Sequence, residues 1–386
     1  MNQIIDIKPQ AMTYNAVHPE YAKFSPEEIK AKAFAKLQER IHVGQRQAMG
    51  ALERIQREVP EDRIVPVQKL RFVGDDERGL AAILGDQRFA MHKHARGQFS
   101  QKLGFNGKFM NDLLEEGDWG RNLIAHNLSE LAAHGRADDK FLVRSVNGQV
   151  RGVLGASYNT NDSRPALESM LNLAREIGAV LVEGVALDTR CSFKIMRGNP
   201  IEVFPGEWAI FGLSYNTSDY GHGAAEISGW IERLLCLNGA TVTASYRKVH
   251  IGRRIENEVE YSTRTRKLNE ALTISASRDM AKAILGDTAI EKLVNQVRVA
   301  QATELDADKA LASIKGQVNK SEEQRIKEKF NSPDVELLPP GNTAWRFSNA
   351  ISWLANQIED QDRKLDLQEL AGKVAEDPAS VGKKAA

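Results

Sequence analysis

Apolar and polar positions alternate with period two in the runs FLVRSV and QVRGVLGASY, which flank the dipeptide Asn147-Gly148 within residues 141–158. Period-two alternation marks a strand with one buried face, and Asn-Gly best fits a type I′ turn, whose two central residues both need positive φ. The pattern predicts a β-hairpin. Ser163-Arg164-Pro165 then leads into ALESMLNLAREIGA, where Leu167, Met170, Leu171 and Ala174 repeat at helical spacing and Gly178 ends the run. Residues 180–187 and 190–197 read as a strand pair joined at Asp188-Thr189, and residues 207–215 read as a further strand. Residues 224–237, AAEISGWIERLLCL, place Ile227, Ile231, Leu234 and Leu235 at helical spacing before Asn238-Gly239 and predict a helix. The order β-β-α-β-β-β-α defines an α+β fold built on an antiparallel sheet, not a doubly wound parallel one.

Helical sequence flanks this core. Ser25-Pro26-Glu27-Glu28 is a capping box with Pro at the first helical position, and a charged helix is expected to about residue 58. Its apolar positions are few against its charges, so it is expected to lie on the surface or in an oligomer contact. Strand-like runs at 69–73 and 80–84 precede a helical cap that passes Leu103 and Leu113 and includes residues 122–133. After Gly239 a strand-like run, ATVTASYRKVHI, enters an arginine-dense stretch, and charged helical sequence continues from Lys267 to about Phe330. Pro333, Pro339 and Pro340 break it, and a last helix is expected over 345–358. The pattern divides the chain into an N-terminal helical arm (1–66), an α+β core with its cap (67–252), a helical C-terminal region (253–358) and a polar tail (359–386) expected to be mobile.

Charge narrows the function classes. The 386 residues carry 52 Lys+Arg and 52 Asp+Glu, so the net charge is zero and a uniformly basic nucleic-acid coat is excluded, while a local basic groove is not. The two cysteines, Cys191 and Cys236, offer neither a zinc framework nor a disulfide scaffold and suit a reducing interior. No stretch approaches the roughly 18 apolar residues of a membrane span, so a cytoplasmic protein with no membrane contact is expected.

Cations concentrate in two places. Arg144 and Arg151 stand three residues before and after the Asn-Gly turn, and alternation puts Arg190, Ser192, Lys194 and Met196 on one face of their strand, with Arg197 at its end. The second concentration runs from Arg247 to Lys267 and contains Arg247, Lys248, Arg253, Arg254, Arg264, Arg266 and Lys267, seven cations against the three anions Glu256, Glu258 and Glu260. Backbone phosphates call for such cations and bases for flat groups, for which Tyr158, Tyr215 and Tyr246 are the candidates; Tyr220 and Tyr261 also lie nearby. A half-solvated sheet face and a helix laced by pairs such as Glu260 with Arg264 would show the same cations without any ligand.

Catalytic readings find less. His92, His94, His126 and His134 lack HExxH spacing, so no metal is expected. Gly221-His222-Gly223 could hold a phosphate where the next helix starts, but neither a P-loop ending nor GxGxxG is present. A magnesium nuclease would need a carboxylate cluster that the sequence does not display. No catalytic residue and no cofactor are assigned.

The segments LVRSVNGQVRGVLGASYNTNDS, GEWAIFGLSYNTSDYGHGAAEI and IERLLCLNGATV, with GNTAWRFSNAISWLAN further on, resemble the phage and plasmid family called domain of unknown function nine hundred and thirty-two. The strand and helix order is similar to the core of the single-strand annealing proteins of the RecT, Redβ and Erf type. That resemblance implies a non-enzymatic phage or plasmid recombination protein inside the host cell. It would hold single-stranded DNA in a basic groove, assemble with itself into a ring or filament, and have a phage exonuclease or a host replication protein as partner. The alternative is a non-catalytic phage structural or regulatory protein whose long helices contact other proteins.

Overall fold

The computed structural model describes residues 25–75, 79–136, 138–156, 158, 162–234, 238–248, 262–332, 338–339, 341–379 and 381, with backbone alone for 238–248. In chain order the elements are α1 (Pro26–Arg57), β1 (Glu61–Pro66), β2 (Arg71–Asp75), β3 (Gly79–Leu84), β4 (Gln87–Met91), α2 (Lys93–Leu103), α3 (Gly107–Glu115) and α4 (Asp118–Ala133). There follow β5 (Lys140–Val146), β6 (Gln149–Gly155), α5 (Ser163–Glu176), β7 (Val180–Ala186), β8 (Cys191–Met196), β9 (Ile201–Phe204), β10 (Glu207–Thr217), β11 (Ala225–Arg233) and β12 (Asn238–Lys248). The C-terminal helices are α6 (Thr263–Ile284), α7 (Asp287–Ala302), α8 (Ala307–Ser313), α9 (Lys320–Asn331), α10 (Ala344–Asn356) and α11 (Gln361–Glu376).

The fold is α+β, with two six-stranded sheets that are antiparallel except where β4 runs parallel to β6. The first sheet has the order β1-β5-β6-β4-β3-β2. Its apolar face, including Leu70, Phe72, Val143 and Val153, packs against Phe99 of α2 and Ile124 and Leu128 of α4. The expected hairpin is β5–β6, with Asn147 at φ 49° and Gly148 at φ 75°, the two positive values that a type I′ turn demands.

The second sheet has the order β12-β11-β10-β8-β7, with β9 added beside β10. One face carries Phe193, Ile195, Leu213, Tyr215 and Ile227 and is covered by α5 and α6. On the other face Val182, Met196, Ile210 and Trp230 pack against Ile29, Ala33 and Leu37 of α1. The capping box of α1 forms as its residues require: the Ser25 hydroxyl accepts from the Glu28 N–H at 3.3 Å, and the Glu28 carboxylate accepts from the Ser25 N–H at 2.7 Å. Gly44 lets α1 sit directly on β7, because a Cβ there would lie 1.6 Å from the Val182 carbonyl oxygen. The N-terminal helix is therefore a layer of the fold rather than an arm, and β1, also inside the expected arm, pairs with β5.

Two further expectations are corrected. Residues 225–233 form strand β11, not a helix, so after α5 the chain makes six strands and the order β-β-α-β-β-β-α loses its closing helix. Every residue from Ile227 to Arg233 is buried, so both faces of the strand are covered and no alternation of exposure is visible. Residues 361–376 form helix α11 with Leu367, Leu370, Ala371 and Val374 buried against α9 and α10, so most of the expected mobile tail is an integral layer. Among the described residues no helix is long and apolar enough to cross a membrane.

Candidate nucleic-acid interface

Of the cations expected on the hairpin and inner strands, all but Arg197 turn inward. Arg144 is 2% exposed; its Nε donates to Asp62 Oδ1 at 2.7 Å, one terminal nitrogen to Asp162 Oδ1 at 2.7 Å and the other to the Asp219 carbonyl at 2.6 Å. Arg151 donates to Glu58 Oε2 at 2.5 Å and lies 3.7 Å from Asp188. Lys194 is 1% exposed and reaches Glu183 at 2.7 Å and Gln368 of α11 at 2.8 Å. Arg190 faces Asp362 at 3.4 Å and Asp366 at 3.5 Å, both on α11. Arg197 pairs with Asp287 at 3.0 Å and donates to the Leu285 carbonyl. Tyr215 is buried in the core, where it cannot stack on a base, and Tyr158 is partly buried near Arg144. The sheet cations are thus held in ion pairs rather than lining an open groove, Arg144 by β1 and the loops before α5 and after β10, Arg190 and Lys194 in part by α11, and Arg197 at the surface by Asp287.

Arg151 and Arg190 meet at the junction of the two sheets. There a cleft of about 370 Å³ lies between the end of α1, the start of α5 and the loop after β10, lined among others by Glu58, Arg151, Ser163, Arg190, Cys191 and Asp219. Asp219 caps α5 from a distance, accepting from the Ser163 N–H at 2.7 Å and the Ser163 hydroxyl at 2.9 Å. Burial, and then the like charge of Asp162, push the Asp219 carboxyl up to about 6, although Arg144 and Ser163 pull the other way. A carboxyl raised from an ordinary value of 3.8 favours the fold while protonated, so its contribution is complete below about 3.8 and is lost as pH rises through about 6. Replacing Asp219 with asparagine is expected to flatten the stability profile between about pH 4 and about pH 7, measured as urea midpoints across that range. An unchanged slope would place the Asp219 side chain in water.

The histidines divide. His126 and His134 are exposed on α4, whereas His94 stacks on His222 with ring centroids 4.5 Å apart and meets the Tyr220 carbonyl at 3.1 Å. Burial, helped by the neighbouring His222, lowers His94 to about 4, so the stack is neutral at physiological pH. His222 Nδ1 lies 2.8 Å from the Thr189 hydroxyl. Because β11 rather than a helix follows Gly221-His222-Gly223, the expected helix N-terminus for a phosphate is not there. Among the described residues no group of three or more His, Cys, Asp or Glu could hold a metal ion. Burial pushes the Cys191 thiol upward, which leaves it unreactive; Cys236 lies outside the described residues.

The second concentration of cations behaves differently. Arg264 and Lys267 are exposed on the first turns of α6, where no described side chain is buried before Thr273. That end of the helix also exposes Leu268 by 63% and Leu272 by 64%. From Thr273 onward Ser277, Ala281 and Ile284 are buried, with Ala281 and Ile284 in the core shared with α5. Arg247, Lys248 and Tyr246 lie on β12, the edge strand, with their backbones in register with Glu226, Ala225 and Ile227. The Arg266 side chain and the whole of Arg253 and Arg254 lie outside the described residues. Comparison with protein-family models, curated proteins and solved structures finds no match for this chain.

Proposed function

We propose that the protein binds single-stranded nucleic acid, DNA in the first place, through the cationic stretch from Arg247 to Lys267. In this reading it acts as a self-associating annealing protein in phage or plasmid recombination. The observation that supports the reading is the exposure of Arg264 and Lys267 on the solvent-facing start of α6, at the end of a stretch with four more cations than anions. Backbone binding of this kind is electrostatic and sequence-tolerant, and it tolerates zero net charge because the sheet cations are already neutralised inside the fold. The resemblance to the phage family and to the annealing proteins remains part of the proposal, reduced by the strand that replaces their closing helix.

Fluorescence anisotropy with a labelled oligothymidine tests it. Replacing Arg264 and Lys267 with alanine is expected to weaken binding to all sequences alike and to reduce the salt slope by about one per residue, with stability changed by no more than about 0.5 kcal/mol. An unchanged slope removes both residues from the interface.

A second reading, a protein-interaction role, is favoured by a different surface. Trp119 is 57% exposed and Leu123, one turn along α4, 38%, with Phe109 of α3 at 51%. Under that reading the purified protein carries no nucleic acid, which the absorbance ratio at 260 and 280 nm reports.

A further inference from the structure

Helix α11 meets strand β8 of the second sheet through polar side chains. Its Leu367, Leu370, Ala371 and Val374 pack into the core shared with α9 and α10, and only Ala375, at its end, joins Phe211 and Ile231 of the sheet, while Asp362 and Asp366 engage Arg190 and Gln368 engages Lys194. An ordinary helix on a sheet buries its apolar stripe against the strands, as α5 does on the opposite face of this same sheet.

The strand surface beside these contacts is also polar. Asn216 is paired in register with Ser192, and Ser214 with both Lys194 and Ser228, so these side chains form one continuous patch across β8, β10 and β11. All are at least nine-tenths buried, and among the described residues Ser192 Oγ, Ser214 Oγ and Asn216 Oδ1 have no hydrogen-bond partner; nor has the Trp230 indole N–H, two residues from Ser228 on the same strand face. A buried polar atom without a partner costs about 1–3 kcal/mol, and native interiors rarely leave such atoms clustered. The closed contact holds other unfavourable charges. Glu369 is raised by burial and by nearby Glu226, and Lys364 is lowered by burial although Glu183 and Glu232 favour its charge.

We infer that α11 is a displaceable cover, and that the polar face of β8, β10 and β11 beneath it is a second contact surface for single-stranded nucleic acid. The carboxylates of Asp362 and Asp366 stand on Arg190 where phosphates would stand, and the Gln368 amide stands on Lys194 as the edge of a base would. Hydroxyls, an amide oxygen and an indole N–H with no partner among the described residues are groups that sugars, bases and phosphates can satisfy. The inference rests on the proposed function and adds to it the location of the second surface and the element that controls access.

The test uses the full chain. Hydrogen exchange read by mass spectrometry, with and without oligothymidine, is expected to show amides of Gln361–Glu376 losing protection when the strand binds. Asp362→Asn with Asp366→Asn is expected to tighten binding by up to about fivefold, the most that loss of two partly exposed ion pairs supports. Gln368→Glu, which adds a charge opposite Lys194, is expected to weaken it. If wild type binds oligothymidine while α11 keeps its protection and all three substitutions leave affinity unchanged, the cover is refuted and the proposed binding stands. If neither wild type nor any variant binds, the binding reading itself fails and the cover with it.

Discussion

Replacing Glu207 with alanine is expected to destabilise the protein by about 3–5 kcal/mol, the cost of breaking a buried charge pair. Glu207 and Arg233 have side chains 2% exposed, and Arg233 Nε donates to both carboxylate oxygens at 2.7 and 2.8 Å. The Trp345 indole N–H donates to the same carboxylate at 2.9 Å. One side chain therefore joins the start of β10, the end of β11 and the first turn of α10, and its loss takes away the acceptor of all three bonds. The glutamine variant keeps the oxygen that Trp345 needs but loses the charge, so it is expected to fall between alanine and wild type. Urea denaturation followed by circular dichroism measures both. A loss below about 1 kcal/mol for the alanine variant would mean that water reaches the pair.

Replacing Arg144 with alanine is expected to cost about 3 kcal/mol, toward the lower end of the same range because Asp62 and Asp162 are each 38% exposed and keep some hydration. The substitution removes a cation that holds two carboxylates and the backbone just before Tyr220, and it leaves Asp62, Asp162 and Asp219 close together without their shared partner. The effect discriminates between two roles for this arginine. A structural Arg144 lowers the urea midpoint, while protein kept folded in the cold binds oligothymidine as wild type does. An Arg144 in a nucleic-acid groove would lose affinity at unchanged stability.

The difference between these arginines and Arg264 marks how far the sequence could be read. Period-two alternation correctly set Arg190, Ser192 and Lys194 on one face and Cys191, Phe193 and Ile195 on the other. What alternation cannot carry is which layer lies over that face, since the partners Asp362, Asp366 and Gln368 are more than 170 residues away. Local chemistry was legible wherever it was self-contained: Asn147-Gly148, the Ser25 capping box and the stop at Gly178 all formed as their residues dictate. Strand β11 looks helical in the sequence because Ile227, Ile231 and Leu234 fit a helical repeat equally well once both faces of a strand are buried. Helix α11 resembles a polar tail in the sequence because the polar side chains it spends on the sheet dilute its apolar stripe. The one available signal for it was the recurrence of Leu367, Leu370, Ala371 and Val374 at spacings of three and four.

On the proposed reading the cationic stretch from Arg247 to Lys267, whose described members Arg264 and Lys267 are exposed, meets the nucleic acid before the sheet does. The most direct test is the affinity of the full chain for a labelled oligothymidine measured over a series of salt concentrations. If four to seven cations of the 247–267 stretch contact phosphates, the logarithm of affinity should fall linearly with the logarithm of salt, with a slope of about −3 to −5. No binding at low salt, or binding indifferent to salt, would contradict it.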